Sequence, residues 1–311
     1  MNPSESNTST DWVVRNSSPG RVERIEAWFG GYGYDPHRHD TYSIGRTLSG
    51  VQSFHYKGTM RHGMPGNTLV LHPDEVHDCM AGTEAGFRYR MAYVDPALIQ
   101  QVLGGEPLPF IVGGLSSHPR LYRASESFMQ AMDHPLDAME EQDALFDLAM
   151  ALRAVAGKPR GRKRLDYRAT ERAREFILEH LHMSITLEML EHASGRERWS
   201  LSRDFRVLYG TSPYRFVTLR RLDQFRGLVL NGFTLVDAAL AAGFHDQSHM
   251  TRHFTRCYGV PPSRWLERLL AHRQLAGSYK SCVLPLRYAD ASNLIEDTSC
   301  LIPRTDRNCK L

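Results

Sequence analysis

Three imidazoles are the first group of side chains in this 311-residue chain whose spacing could support chemistry. His37 and His39 are two positions apart in a strand-like stretch, so both rings point to the same face of a strand. His77 lies further along the chain, after a glycine and a proline. Converging imidazoles can hold a metal ion, bind a small effector through hydrogen bonds, or brace the strand.

Basic and polar side chains within a sequence repeat form the second group. The stretch from Leu201 to Phe216 returns forty-nine positions later as Met250 to Trp265, with Arg, Phe, Tyr, Gly, Pro and Arg at matching places. A repeat of this length marks two supersecondary units that pack as neighbours. We interpret each copy as the second helix of a helix-turn-helix, followed by the turn that ends it.

The second copy carries the clearer start and stop signals. Thr234 can cap a short apolar helix, Gly243 permits the positive φ of a tight turn, and Asp246 can cap the next helix. On that helix Met250 and Phe254 are four residues apart and form an apolar seam toward a core. Its other faces carry Ser248, His249, Arg252 and Arg256.

The first copy follows the same pattern. Thr186 begins a short helix, Gly195 makes the turn, and Leu201 and Phe205 form the inward seam of the second helix. The outward residues are Trp199, Ser202, Arg203 and Arg206. A long helix over residues 213–231 then joins the two units rigidly.

These units resemble the paired helix-turn-helix of the AraC family of bacterial transcription regulators, over about residues 168–269. The motif is carried by Ala239, Gly243, Asp246, Arg252, Phe254, Tyr258, Gly259 and Trp265. The resemblance implies contacts with double-stranded DNA from Trp199, Ser202, Arg203, Ser248 and Arg252. Two residues depart from the family pattern, because Glu197 stands where a capping Ser is usual and Glu191 where Ala is usual.

The arginines of the two units have different predicted roles. Arg203 and Arg252 are predicted to contact base edges, with a phosphate contact or an intramolecular ion pair as the alternatives. Phosphate contacts, which position a protein without specifying sequence, are predicted for Arg196, Arg206, Arg220 and Arg256.

Charge is distributed unevenly along the chain. The net charge is +3, but residues 158–274 carry 21 Lys and Arg against 12 Asp and Glu, whereas residues 1–157 carry 12 against 19. Basicity confined to the repeats is typical of a module that displaces counterions from DNA phosphates. For charge alone, a solvated basic face is the plainer alternative.

Short strand-like runs between glycines characterise the first third of the chain. Candidate strands cover residues 22–28, 43–48, 52–56, 68–71 and 87–94. Many short strands without helices predict an antiparallel barrel or sandwich, and a closed small barrel can hold one small ligand. The segments from His37 to Ile44 and from Pro65 to His77 resemble the cupin-type sensor domain of AraC-family regulators.

That resemblance implies a small-molecule effector in the N-terminal domain. The predicted effector-binding residues are His37, His39, Tyr42 and His77. Enzymatic cupins usually add a Glu four or five positions after the second histidine, where this chain has Ser43 and Ile44. We therefore expect no metal, no cofactor and no enzymatic activity. The alternative is a metal-dependent cupin enzyme with a helical appendage, which one tightly held metal per purified chain, together with turnover, would favour.

Helices between the barrel and the repeats are predicted over residues 96–103, 118–132 and 139–156. Leu148 and Leu152 belong to an apolar stripe on the last of them. Packing on the barrel is the default role of this stripe, whereas the resemblance implies that the last two helices form a homodimer. On that hypothesis, charged substitutions at Leu148 and Leu152 would give monomers.

The predicted fold class is α+β, with an N-terminal antiparallel cupin-like β-barrel and a C-terminal all-α domain. The predicted segments are a disordered N-terminus (1–14), a sensor domain (15–115), a helical dimerisation segment (116–156), a basic linker (157–167), a DNA-binding domain (168–274) and a weakly ordered tail (275–311). Five scattered cysteines, a polar N-terminus and no apolar run of membrane-spanning length predict a cytoplasmic protein.

These observations predict a sequence-specific transcription regulator controlled by a small effector. Its expected partners are double-stranded DNA, the effector and a second copy of the chain, with RNA polymerase as a further candidate and no membrane. A nonspecific nucleic-acid binder is a third alternative, which strong salt dependence without sequence preference would indicate. The sequence names neither the effector nor the operator, and it leaves activation and repression open.

Overall fold

The computed structural model describes residues 11–16, 22–133, 136–156 and 165–267 of the chain. The predicted tail, most of the predicted basic linker and most of the predicted N-terminus lie outside the described residues. Two predicted boundaries shift. A strand begins at Trp12, inside the segment predicted as disordered, and a helix begins at Tyr167, the last residue of the predicted linker.

The N-terminal domain consists of two antiparallel sheets. In chain order the strands are β1 (Trp12–Asn16), β2 (Glu23–Phe29), β3 (Tyr32–His37), β4 (Tyr42–Gly50), β5 (Gln52–Tyr56), β6 (Thr59–Gly63), β7 (Thr68–Leu71), β8 (His77–Ala81), β9 (Phe87–Val94) and β10 (Leu115–Ser116). One sheet has the order β1-β2-β9-β4-β7-β10 and the other β3-β8-β5-β6. The predicted antiparallel cupin-like domain is confirmed.

Aromatic side chains from both sheets fill the space between them. On β9, Phe87, Tyr89 and Tyr93 are buried on one face, as the alternating pattern predicts. Phe54 and Tyr56 on β5 join the same core from the other sheet. Fully burying a large apolar side chain contributes about 1.5–3 kcal/mol, so these rings hold the two sheets together.

The smaller sheet contains three strands that the sequence pattern does not mark, β3, β6 and β8, and β1 and β10 of the larger sheet are also unmarked. β3 includes Gly33 and Pro36, which are unfavourable in strands, and its pairing with β8 is irregular. β6 and β8 are only five residues long, and neither alternates clearly between polar and apolar residues. Their pairing is therefore decided by neighbouring strands rather than by local composition.

Three helices cover the outer face of the larger sheet: α1 (Pro96–Leu103), α2 (Pro119–Met129) and α3 (Ala138–Ala156). They form a second apolar cluster with Tyr42 and Ile44 of β4. Leu148 and Leu152 are fully buried in this cluster. The prediction that charges at these two leucines give monomers is therefore corrected. Such charges would disrupt the core of the same chain.

The C-terminal domain is entirely helical within the described residues. Its helices are α4 (Tyr167–Glu179), α5 (Leu187–Ser194), α6 (Arg198–Tyr209), α7 (Pro213–Leu230), α8 (Leu235–Ala241) and α9 (Gln247–Tyr258), and residues 262–267 are also helical. Leu201 and Phe205 of α6 are buried in one core, and Met250 and Phe254 of α9 in another. The two cores are joined by α7, as the repeat predicts.

Capping groups begin these helices where the sequence places them. Thr186, Thr234 and Asp246 accept hydrogen bonds from main-chain N–H groups of the following turn. Gly243 has φ of +84°, and a Cβ there would overlap the main-chain oxygen of Leu181. A glycine is therefore required at this turn. Among the described helices, none is both long and apolar enough to span a bilayer.

The two departures from the family pattern are accommodated locally. Glu197 caps α6, because its carboxylate accepts hydrogen bonds from the N–H groups of Trp199 and Ser200 at 2.9 and 2.8 Å. These main-chain bonds lower the pKa of Glu197. Glu191 lies on a half-exposed face of α5 and pairs with Arg198 at 2.9 Å. The turn between α5 and α6 therefore keeps its geometry.

Candidate DNA-binding surface and effector site

The outer face of α6 presents the side chains that the repeat predicts as DNA contacts. Trp199 is 70 % exposed, an unusual state for an indole that is not part of a binding surface. Arg203 is 42 % exposed and lies 3.3 Å from Asp204, which is itself buried. Ser202 is only 8 % exposed, so it has less access to a groove than its neighbours.

Asp204 links the arginines of the first unit. Its carboxylate also accepts a hydrogen bond from Arg196 at 2.9 Å. The guanidinium of Arg196, which is predicted to contact a phosphate, is therefore partly occupied by a partner within the chain. Arg206 is exposed and donates to the main-chain oxygen of Ser202 at 2.7 Å. Arg203 and Arg206 therefore lie one turn apart and face outward, held in place by groups on their own helix.

The outer face of α9 is the second candidate surface. Ser248, Arg252 and Arg256 are exposed and lie four residues apart in one row. Neither arginine has an ion pair within the described part of the chain. His249 lies differently, because its Nε2 is 3.0 Å from Nε2 of His253 and its ring packs against Phe244. Its contact with DNA stays a prediction.

Arg220 is at the boundary between the two domains rather than on the DNA-facing side. Its guanidinium forms a buried ion pair with Asp40, and the two side chains are 11 % and 2 % exposed. The predicted phosphate contact of Arg220 is therefore corrected, because its guanidinium is already paired with Asp40. The carboxylate of Asp40 lies far away in sequence, and only the tertiary structure brings it close to Arg220.

Three histidines converge at the edge of the barrel. His37 and His77 face each other in the pairing of β3 with β8, with ring centroids 4.4 Å apart. His39 is 4.9 Å from His77 on the same measure. The structure brings these three side chains together, as predicted. Their binding of an effector stays a prediction.

Main-chain carbonyl groups orient the three rings. The Nδ1 atoms of His37, His39 and His77 lie 2.8, 2.9 and 3.0 Å from the oxygens of residues 35, 41 and 75. A carbonyl only accepts, so Nδ1 carries the proton and Nε2 is the acceptor of each ring. Burial lowers the pKa of His37, and burial together with the two neighbouring histidines lowers that of His77. These two rings are therefore neutral at pH 7.

The donor set does not complete a cupin metal centre. One ring nitrogen from each histidine lies within 4.8 Å of the others, a grouping that could hold a metal ion. Ser43 stands in place of a carboxylate, and its hydroxyl is 2.9 Å from Nε2 of His39. The expected absence of a metal therefore stays a prediction.

Tyr42 does not belong with the histidines. It precedes Ser43 on β4, and neighbouring residues of a strand point to opposite faces. Its ring is buried in the cluster under the helices, and its hydroxyl donates to the oxygen of Pro109 at 2.8 Å. The prediction that Tyr42 belongs to the effector-binding set is therefore corrected.

The segment that carries the histidines also contacts the C-terminal domain. Between His37 and His39, the N–H of Arg38 donates to the oxygen of Cys257 at 3.2 Å, and the thiol of Cys257 lies 3.3 Å from the oxygen of Arg38. The next residue, Asp40, holds Arg220. Sequence reasoning missed these boundary residues, because a polar residue beside a histidine carries no signal of its distant partner.

Comparisons with known proteins give matches to a part of each domain. Residues 19–149 match the model of the AraC-like ligand binding domain, and residues 190–268 match a helix-turn-helix domain model. The uncharacterized HTH-type transcriptional regulator YbfI of Bacillus subtilis is 26 % identical over 226 residues, which cover 69 % of this chain and 80 % of that protein.

Two further comparisons cover different parts of the molecule. The virulence regulon transcriptional activator VirF of Yersinia enterocolitica is 30 % identical over 128 residues, 41 % of this chain and 43 % of VirF. The crystal structure of ToxT from Vibrio cholerae shares the fold over 83 % of this chain and 96 % of ToxT, with a TM-score of 0.53 and 14 % identity.

Proposed function

We propose that the chain is a transcription regulator of the AraC family, which binds specific DNA sequences through α6 and α9 under the control of a small effector. The observation that carries this proposal is the pair of equivalent helices. Each is held by a buried apolar seam and leaves a polar, basic face outside, with Arg203 and Arg252 at matching positions. The regulator role requires no catalysis, and we propose none.

Two recognition helices joined by one connecting helix set the spacing of the two DNA elements in the operator. Helix-turn-helix units that enter successive major grooves on one face of DNA lie about 34 Å, or roughly 10 bp, apart. In this arrangement Trp199, Arg203, Ser248 and Arg252 face base edges, and Arg206 and Arg256 contact phosphates. His249 and Ser202 lie at the margins of this surface.

The histidine cluster is the proposed effector site of the sensor domain. Nε2 atoms that accept hydrogen bonds suit an effector with hydroxyl or N–H donors. His37 and His39 flank Arg38, which contacts Cys257, and Asp40 pairs with Arg220. An effector that binds two placements of the domains with different affinities would therefore shift their populations. We place this regulator in the cytoplasm, with RNA polymerase as a candidate partner at the promoter.

In vitro selection from random DNA tests the proposed function. We expect the intact protein to enrich two short elements about one helical turn apart, because each recognition helix reads one groove. The selection is repeated with a variant that carries Arg203→Ala and Arg252→Ala, which should lose the consensus and keep salt-dependent binding. Enrichment of nothing by the intact protein, or the same consensus from the variant, would contradict the proposal.

Dimer formation is proposed for the outer face of α3, opposite the buried leucines. Met139 and Phe146 are 73 % and 53 % exposed and lie two turns apart on that face. We expect Phe146→Glu to halve the mass of the protein in light scattering, because a charge cannot be buried in an apolar contact. Phe146→Leu is the matched control and should remain a dimer. An unchanged mass for Phe146→Glu would remove this face from the interface.

A further inference from the structure

Two histidines of α9 bring their ring nitrogens together, on the second recognition helix and apart from the three histidines of the barrel. His249 and His253 are four residues apart, so both side chains lie on the same side of the helix. Their Nε2 atoms are 3.0 Å apart, and the two rings are nearly perpendicular, with an angle of 82° between their planes. Both residues are half-buried, so solvent reaches the pair.

The separation of the two nitrogens matches that of two ligands on one metal ion. For metal–nitrogen bonds of about 2.1 Å, two ligands lie about 3.0 Å apart at a right angle and about 3.4 Å apart at the tetrahedral angle. Histidines at positions i and i+4 of a helix bind zinc in the His-Glu-x-x-His motif of metalloproteases. Met250 stands here in place of the glutamate, so the spacing supplies metal ligands without a catalytic base.

The hydrogen bonding of the pair leaves both Nε2 atoms available to an ion. Without a metal, one Nε2 donates its proton to the other, because a neutral imidazole has one donor and one acceptor nitrogen. Nδ1 of His249 is buried without a hydrogen-bond partner among the described residues, so no main-chain group fixes the tautomer of this ring. Burial and the neighbouring His249 lower the pKa of His253, so its ring is neutral at pH 7. An ion that displaces the shared proton therefore breaks a single hydrogen bond.

Neighbouring side chains hold the two rings in place. Phe244 is buried and packs against both, with ring centroids 5.8 Å from that of His249 and 6.2 Å from that of His253. The hydroxyl of Tyr214, at the beginning of α7, lies 3.5 Å from Nε2 of His253. An ion on two imidazoles keeps water at its other positions, and this hydroxyl can hydrogen-bond such a water. Restrained ligands lose little conformational freedom when the ion binds.

We propose that His249 and His253 form a binding site for a divalent transition-metal ion on α9. Imidazole nitrogen suits nickel, copper and zinc, whereas magnesium prefers oxygen ligands. The site flanks the row of Ser248, Arg252 and Arg256, so a bound ion adds positive charge beside the proposed DNA-binding face.

Isothermal titration of the full-length, metal-free protein with Ni²⁺ tests the proposal. We expect His253→Gln to bind one equivalent of Ni²⁺ fewer than the wild type, because the remaining imidazole cannot chelate the ion. His249→Gln should lose the same equivalent, and the double variant should lose no more than one. His192→Gln, which changes an exposed histidine on α5, is the matched control and should bind as many ions as the wild type. Any ion held elsewhere in the chain cancels in these comparisons.

Equal numbers of bound Ni²⁺ in the wild type, His249→Gln and His253→Gln would overturn the proposal. So would the loss of two equivalents in the double variant, since the two histidines would then bind ions independently. A difference between the wild type and His253→Gln that appears equally with Mg²⁺ would overturn the choice of a transition metal.

A second measurement needs no variant and covers the case in which a substitution disturbs folding. Histidines of the wild type are labelled covalently with and without Ni²⁺, and the labelled sites are located by mass spectrometry. We expect Ni²⁺ to protect His249 and His253 and to leave His192 labelled, and labelling of the pair that Ni²⁺ does not change would overturn the proposal. Neither measurement contains DNA, so their failure leaves the proposed DNA-binding function unaffected, and the failure of DNA selection leaves this site unaffected.

Discussion

Replacement of Asp40 by asparagine is expected to destabilise the contact between the two domains by about 3 kcal/mol, because breaking a buried ion pair leaves the remaining charge without its main partner. Asp40 and Arg220 are 2 % and 11 % exposed. Burial disfavours the charged guanidinium, but Asp40 and Asp223 raise the pKa of Arg220 above its ordinary value. Asp223, 4.0 Å from the guanidinium, would remain as a weaker ion-pair partner of Arg220.

Thermal and urea unfolding of the full-length protein measure this effect. The expected result is either a lower midpoint or the division of one transition into two, since Asp40 belongs to the sensor domain and Arg220 to α7. Asp147→Asn is the matched control, because it removes the same charge from an exposed position on α3. An unfolding curve of Asp40→Asn that coincides with that of the control would show that the pair contributes nothing to the boundary.

The Asp40 variant also tests regulation. If the boundary restrains α6 and α9, the variant should bind its selected DNA with an affinity that no longer depends on the sensor domain. We expect its affinity to match that of an isolated fragment covering residues 165–274. Equal affinities of the wild type and Asp40→Asn for that DNA would mean that the domain contact does not restrain binding.

Replacement of Arg252 by alanine is expected to abolish base preference within one of the two DNA elements. A paired arginine–guanine contact contributes about 1–3 kcal/mol of discrimination, which is a loss of roughly fivefold to 150-fold in relative affinity. Arg252 is exposed on α9 and has no ion pair within the described residues, so its guanidinium is available. The measurement is competition binding with operators that carry single substitutions.

Arg256→Ala is the matched control for this prediction, because Arg256 lies one turn further along the same exposed row. A phosphate contact lacks sequence information, so its loss should weaken binding to all sequences alike and reduce the salt dependence. If both alanine variants change the same base preference, or if neither does, the assignment of Arg252 to a base edge is wrong.

Local patterns predicted a large part of this molecule. The strand-like runs around Phe87 and Gln52, the caps at Thr186 and Asp246, and the turn at Gly243 all lie where the sequence places them. Each depends on residues within a few positions of one another, whose conformational preferences act in any context. The paired recognition helices are predictable for the same reason, since the repeat contains the same short-range helix and turn signals twice.

Long-range partners were not predictable in this way. Tyr42 and His39 are three residues apart, yet one packs under α1 to α3 and the other faces the barrel edge. Arg220 has the charge of a DNA contact but pairs with a carboxylate 180 residues away. Leu148 and Leu152 have the spacing of an interface stripe and instead fill the core of their own domain.

The sequence by itself determined the two kinds of domain, the paired recognition helices and the histidines of the sensor, because periodicity, capping and turn residues act over short distances. Only the tertiary structure decided which polar groups meet at the domain boundary: Asp40 with Arg220, and Asp74 with Arg38 and Arg215. Such pairs depend on how two finished surfaces pack, and a charge on one surface contains no information about the charge that will lie opposite.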